Sequence, residues 1–154
     1  MHNSEQINSK IKLAMNDLSF NLNELKLEHS AVPANKAQII ELENYFDHPL
    51  PFNLKEIFRN YNGASLKQYD MNHFYIVGKD KKNPLNIWFT INKCSEHLGL
   101  ETLPFAENET HSIYFLKWEQ EQAKVYLWSE ASQEITHISD SFDEFLKDLL
   151  KILS

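Results

Sequence analysis

The chain has 154 residues, of which 42% are hydrophobic and only three are Gly and five Pro, so it can form one folded domain and is not a low-complexity sequence. Its formal net charge is −7, and residues 1–94 carry 11 basic and 10 acidic side chains, whereas residues 95–154 carry 4 and 12. Because nucleic-acid affinity depends on clustered Lys and Arg, this charge balance argues against nucleic-acid binding; the acidic half suits either a basic partner or simple solubility.

The first predicted element is an amphipathic helix over about Glu5 to Leu18, with Asn3 or Ser4 as its capping residue. Its apolar positions are spaced by four, four and three residues. The stretch from Ser19 to Pro33 fits either one helical turn or a short extended piece, and both interpretations stay open.

A second helix is predicted over Lys36 to Phe46. Its inward residues are Ile39, Leu42 and Phe46, with Ile40 as a further apolar contact. The two prolines within Asp47 to Pro51 end this helix, because proline lacks an N–H donor and the residue before it avoids the helical region.

A third helix is predicted to restart at Asn53, whose side chain would cap it, with Glu56 at the capping-box position. The apolar stripe of this helix would be Leu54, Ile57, Phe58 and Tyr61. Gly63 then provides a left-handed residue that closes the helix.

Beyond Gly63 the apolar period changes to two, which indicates strands. The predicted strands are His73 to Val77, Asn86 to Ile91, Ser112 to Trp118, Lys124 to Trp128 and Glu134 to Ile138. The third and fourth form a hairpin with two apolar faces. We expect helices to cover one face, and the other to be covered as well or to serve as a contact surface.

A terminal helix follows, in which Ser141 and Glu144 form a capping box. Its inward stripe would be Phe142, Phe145, Leu146, Leu149 and Leu153. Helices, then a mainly antiparallel sheet of about five or six strands, then a closing helix predict an α+β fold. We expect one domain over residues 1–154, with 1–34 as a helical lead-in and 35–154 as the core.

The sequence contains no recognisable catalytic motif. The seven histidines never recur at i and i+4, so we expect each to be structural or at the surface. Cys94 lies three residues before His97, a spacing that is not a nucleophile motif, and three glycines cannot supply a phosphate-binding loop. We therefore predict no catalytic residue, no metal site and no cofactor.

Several short motifs occur in a fixed order. They are Ile39-Ile40-Glu41-Leu42-Glu43, Leu50-Pro51, Asn62-Gly63, Leu103-Pro104-Phe105-Ala106, and Asp140-Ser141-Phe142 followed by Phe145-Leu146. By their order and spacing the chain resembles the SUKH superfamily over about Lys36 to Leu153. One departure is the acidic loop Glu107 to His111, which lacks the glycines that many members have there.

The resemblance implies an immunity protein that occludes a cognate toxin, with a basic nuclease-type domain as the expected partner. Structural roles are implied for six motif residues: Glu43, Pro51, Asn62, Gly63, Ser141 and Phe142. For toxin contacts we select acidic and aromatic residues of the acidic half: Glu107, Glu109, Trp118, Glu119, Glu121, Trp128 and Glu130. The alternatives are core packing for the two indoles and solvated turns for the carboxylates.

Two further functions stay open. One is a non-catalytic interaction scaffold of the same fold, since eukaryotic relatives resemble interaction hubs. The other is a hydrolase, which would need His and carboxylate groups to meet in one cleft. The lone Cys94 and the lack of a signal-like apolar stretch favour a cytoplasmic protein without a membrane segment.

Overall fold

The computed structural model describes residues 22–25, 27, 31–65 and 71–152. The helices are α1 (Lys36–Phe46), α2 (Phe52–Asn60), α3 (Ile87–Leu98) and α4 (Phe142–Ile152), and Leu22–Leu25 form a short 3-10 turn. The strands are β1 (Met71–Phe74), β2 (Thr102–Asn108), β3 (Ile113–Glu119), β4 (Gln122–Ser129) and β5 (Glu134–Ser139). The helix predicted over Glu5 to Leu18, and Leu153 of the terminal stripe, lie outside the described residues.

These strands form one antiparallel sheet in the order β1-β2-β3-β4-β5, so each strand pairs with its neighbour in sequence. The predicted α+β fold with a closing helix is confirmed. A two-residue turn joins β3 to β4, and its residues Gln120 and Glu121 have φ values of 51° and 68°. Positive φ at both turn residues matches the right-handed twist of the paired strands.

Helices pack against both faces of the sheet. On one face, called here the α4 face, Phe145 of α4 lies 5.1 Å from Tyr114 between ring centroids. On the opposite α3 face, His97 of α3 stacks on Trp128 at 5.4 Å. The aromatic hairpin is therefore covered by a helix on each side.

A bulge in β2 decides which side chains point to which face. The register of β2 against β3 shifts between Pro104 and Ala106, where β2 accommodates one extra residue. In a regular strand Phe105 and Glu107 would share a face. The shift leaves Phe105 against α4 and turns Glu107 to the α3 face, where it pairs with His73 of β1.

The segment Asn86 to Ile91 begins helix α3 and does not form the predicted strand. The side chain of Asn86 accepts a hydrogen bond from Trp88 N (2.9 Å) and so caps the helix. The buried positions of α3 continue at helical spacing as far as Cys94. The prediction failed because a short apolar run fits a buried helix as well as a strand.

The start of α2 also differs from the prediction. The helix begins at Phe52, with Pro51 as its N-cap and no side-chain capping bond. Asn53 lies inside the helix, where its buried Nδ2 donates to Asp143 Oδ1 of α4 at 2.7 Å. Asn53 therefore links two helices instead of capping one. Three residues of the predicted stripe, Leu54, Ile57 and Phe58, are fully buried, whereas Tyr61 follows the end of α2 and is partly buried.

Three smaller details refine the predicted boundaries. Gly63 has the expected positive φ, 70°, but α2 ends at Asn60, so Gly63 shapes the turn after the helix and does not close it. Ile40 is 41% exposed and is not the further inward contact of α1. Strand β1 ends at Phe74, beyond which Ile76 forms an isolated parallel bridge.

Candidate functional site

A groove of about 440 Å³ opens at the end of the sheet where β3 turns into β4. Its walls are the proline break between α1 and α2, the β3–β4 turn, and the start of α4. The lining residues are Pro49, Leu50, Pro51, Phe52, Trp118, Glu121, Gln122, Ala123, Ser141, Phe142 and Asp143. The Leu50-Pro51 and Ser141-Phe142 motifs, distant in sequence, thus meet in one groove.

Glu43 fixes the proline break that forms the first wall. Its Oε2 accepts a hydrogen bond from Leu50 N at 2.7 Å and lies 3.3 Å from Lys55 Nζ. Asp47 ends α1 in the left-handed region, with φ 56°. The chain can then restart as α2 with Phe52 half exposed at the edge of the groove.

The start of α4 forms the second wall. Ser141 Oγ accepts from Glu144 N at 3.1 Å, while the Glu144 carboxylate accepts from Asp140 N at 3.2 Å. This is the predicted capping box, shifted so that Glu144 reaches Asp140 and not Ser141. Phe142 is buried directly beneath, and Asp143 is held by its bond from α2.

Two carboxylates lie at the β3–β4 turn, Glu119 at the end of β3 and Glu121 in the turn itself. Glu119 accepts from Tyr126 OH at 2.6 Å and lies 3.4 Å from Lys124 Nζ. The hydrogen bond from Tyr126, followed by the contacts with Lys124, holds the pKa of Glu119 below its ordinary value. The same hydrogen bond is the main cause that raises the pKa of Tyr126 to about 12. Glu121, in contrast, is exposed at the tip of the turn.

The two indoles selected as toxin contacts belong to the core. Trp118 is 5% exposed, and it contacts Phe46 at 5.3 Å and stacks on His48 at 5.0 Å. Trp128 is 4% exposed and stacks on His97. Neither ring offers an open face to a partner, so core packing is the role that the structure gives them; Trp118 reaches the groove only as part of its wall.

The acidic residues selected as toxin contacts lie at opposite ends of the sheet. Glu119 and Glu121 lie at the β3–β4 end, whereas Glu107, Glu109 and Glu130 lie at the end formed by the β2–β3 and β4–β5 connections. The seven residues of β3 separate these ends by about 20 Å, at ~3.3 Å per residue. Glu107 and Glu119 are strand residues, not the turn residues that were predicted.

Two groove residues, Phe52 and Asp143, were not selected from the sequence. A signal existed for Phe52, because it directly follows the proline break and lies off the inward stripe of α2. No sequence signal marks Asp143. Its position becomes meaningful only through the bond from Asn53.

Glu107 is the centre of a second cluster, on the α3 face. Tyr75 OH donates to Glu107 Oε2 at 3.3 Å, and Oε1 lies 3.6 Å from His73 Nε2 and 3.8 Å from His111 Nδ1. Burial lowers the pKa of His73, although the nearby Glu107 carboxylate opposes that shift. Burial and the same carboxylate raise the pKa of Tyr75.

This cluster brings together the His and carboxylate groups that a hydrolase would need, and Tyr75 and Cys94 lie beside it with raised pKa values. The raised pKa of Tyr75 keeps its hydroxyl neutral, and burial raises the pKa of the Cys94 thiol to about 11. Within the described ranges, no group of three or more His, Cys, Asp or Glu residues is arranged to hold a metal ion. Tyr75 donates a hydrogen bond to Glu107, whereas the buried Nε2 of His73 has no hydrogen-bond partner among the described residues.

Among the described residues, no helix is both long enough and apolar enough to cross a membrane.

Comparison with known proteins identifies the family. A search of curated proteins finds no match to the chain. A SUKH family model, described as SMI1-KNR4 cell-wall, matches residues 36–146, more than two thirds of the chain and the range that runs from α1 into α4. The protein therefore belongs to the SUKH family.

Proposed function

We propose that this protein is an immunity protein that binds one toxin domain in the cytoplasm and occludes it stoichiometrically, without chemistry of its own. Membership in the SUKH family, whose bacterial members are largely immunity proteins, is the observation that carries the proposal. We also propose that residues 1–154 form a single domain.

The electrostatics of the described surface support an encounter with a basic toxin. Residues 95–154 have 12 acidic against 4 basic side chains, and Glu109, Glu121 and Glu130 are exposed in turns of the sheet. A nuclease domain must be basic to bind phosphate groups, so opposite potentials would accelerate association and reject other partners.

Growth rescue tests the proposal. Each toxin domain encoded beside the gene is expressed in a sensitive host with and without this protein. We expect one toxin to lose its toxicity, and the purified pair to form a complex of defined stoichiometry that lacks toxin activity. Failure to rescue growth from any neighbouring toxin would contradict the proposal and favour the alternative, an interaction scaffold of the same fold.

A further inference from the structure

We infer that the groove at the β3–β4 end of the sheet is the docking site for the toxin, and that it receives a toxin segment in which a basic side chain lies beside an apolar one. This inference names the binding surface for the proposed immunity function and rests on that function. The inference places the binding surface at the β3–β4 end of the sheet and not at the opposite acidic end, which carries Glu107, Glu109 and Glu130.

The groove has the shape and composition of a preformed site. Its volume of about 440 Å³ lies in the range of ligand-binding pockets in proteins. Much of its lining is apolar, and Phe52, 51% exposed, offers an unused aromatic surface. Two of its lining residues are prolines, whose restricted φ reduces the entropy lost when a partner binds.

The negative charge of the groove favours a toxin segment with a basic side chain. Glu121 and Asp143 supply two carboxylates, and the lining residues, all within the described ranges, include no Lys, Arg or His. An arginine or lysine could lay its aliphatic stem on Phe52 while its charged head meets these carboxylates. An acidic segment would be repelled.

Three hydrogen bonds fix the positions of the groove walls. Glu43 bonds to Leu50 N, Asn53 bonds to Asp143, and Ser141 caps α4. These bonds stabilise the groove without using the Glu121 side chain or the ring of Phe52. A preorganised surface with an exposed aromatic ring and an exposed rim charge is the arrangement expected of a binding hot spot.

The opposite end of the sheet is less suited to recognition. Glu107, the most central carboxylate there, accepts a hydrogen bond from Tyr75 and lies within 4 Å of His73 and His111. Glu109 and Glu130 remain as exposed charges in turns. Isolated exposed charges of this kind contribute little affinity by themselves.

A matched pair of double variants tests the inference with the toxin that growth rescue identifies. The groove variant is Phe52→Ala with Glu121→Lys. The control is Ile135→Ala with Glu130→Lys at the opposite end, where Ile135 is 53% exposed. All four side chains are at least half exposed or lie in turns, and circular dichroism checks that both variants fold.

We expect the groove variant to weaken toxin binding at least about 50-fold and the control less than about threefold. Equal losses, or a larger loss in the control, would overturn the inference.

A second measurement needs no toxin. The ¹⁵N-labelled protein is titrated with the amidated peptide Arg-Leu-Arg-Leu and, separately, with Glu-Leu-Glu-Leu. We expect the cationic peptide alone to shift amide resonances of residues 50, 52, 53, 119–123 and 141–144. Shifts at the opposite end, shifts with both peptides, or no shifts at all would overturn the groove assignment. Absence of a rescuing toxin would instead count against the immunity function, so the two failures are distinguishable.

Discussion

The side chain of Asn62 satisfies both backbone polar groups of Val77. Its Nδ2 donates to Val77 O at 2.8 Å, and its Oδ1 accepts from Val77 N at 3.0 Å. The same Nδ2 donates to Val32 O at 2.8 Å. Because Asn62 is 1% exposed, water cannot take over these bonds. The amide therefore replaces a strand partner where the β1 ladder has already ended.

Asn62→Ala should strongly destabilise the protein. The substitution leaves the carbonyl and the N–H of the buried Val77 without their partner, and each buried unsatisfied group costs about 1–3 kcal/mol. The carbonyl of Val32, a residue that is 83% exposed, also loses its donor. We expect a loss of about 3 kcal/mol or more in the free energy of unfolding, measured by urea denaturation. Asn60→Ala is the control, because Asn60 is exposed and its side chain bonds, among the described residues, only to Glu56 on the same helix. This variant should change stability by less than about 0.5 kcal/mol. A loss below 1 kcal/mol for Asn62→Ala would contradict the role given to its amide.

Glu43→Ala should destabilise the break between α1 and α2. The substitution removes the acceptor for Leu50 N and the ion-pair partner of Lys55 Nζ. Leu50 is 3% exposed, so water does not readily replace the lost acceptor. We expect a loss of about 1–3 kcal/mol by urea denaturation. Glu41→Ala on the same helix removes only the exposed pair with Lys81 and should cost less than about 1 kcal/mol. Similar losses in the two variants would argue against a specific role for Glu43.

Gly63→Ala should cost about 1 kcal/mol or more, because residue 63 has φ 70° and a side chain is disfavoured there. Gly78→Ala is the matched control. Gly78 does not have a positive φ, and an added Cβ would lie 3.4 Å from Ile76 Cγ2. Thermal unfolding should therefore show a clearly lower melting temperature for Gly63→Ala than for Gly78→Ala, and equal melting temperatures would refute the backbone explanation.

His73 should make stability depend on pH. Burial lowers the pKa of His73 in the folded protein, whereas the unfolded chain has the ordinary value of 6.5. As the pH falls below 6.5, the unfolded chain takes up a proton first, so this residue's contribution to stability is present above that pH and is lost toward the folded pKa. The facing groups are Glu107, which opposes the shift, and His111, which adds to it.

The comparison is between the wild type and His73→Gln, each unfolded in urea at about pH 7.5 and about pH 5.5. We expect the wild type to lose more stability than the variant on acidification. All other residues are the same in both proteins, so their contributions cancel to first order. An equal loss in the two proteins would show that His73 is not the responsible group.

Salt should slow the association with the cognate toxin. If acidic residues steer the encounter, the association rate should fall roughly tenfold or more between low salt and about 0.5 M NaCl, because screening shortens the reach of exposed charges. Stopped-flow fluorescence measures the rate. Glu121→Lys should flatten the salt dependence, whereas a rate that is insensitive to salt in the wild type would rule out steering.

The sequence predicts those elements whose evidence is local. The stripes of α1 and α4 and the capping box at Ser141 each lie within a few residues of sequence, and all three appear in the structure. Helix α3 was missed because Ile87 to Ile91 is too short a run to distinguish a helix from a strand.

The candidate site depends on relationships that a single sequence does not display. Pro104 is a local signal for the bulge near Phe105, because proline inside a sheet favours bulges, but it does not show that the bulge brings Glu107 to His73 on the α3 face. Likewise, nothing near Phe52 indicates that the turn at Glu121 will lie across the same groove. Contacts between distant segments are set by the packing of the whole domain, so they were not predicted.

The order of strands in the sheet has a consequence for how the chain folds. The connections between β2, β3, β4 and β5 contain four, two and four residues, so this part of the sheet can grow by successive local hairpins with little loop-closure entropy. The bond between Asn53 and Asp143 instead closes a separation of 90 residues. We therefore expect variants of these two residues to speed unfolding while leaving the folding rate nearly unchanged, as stopped-flow kinetics would show. Folding would then form the β2 to β5 part of the sheet first and assemble the groove last.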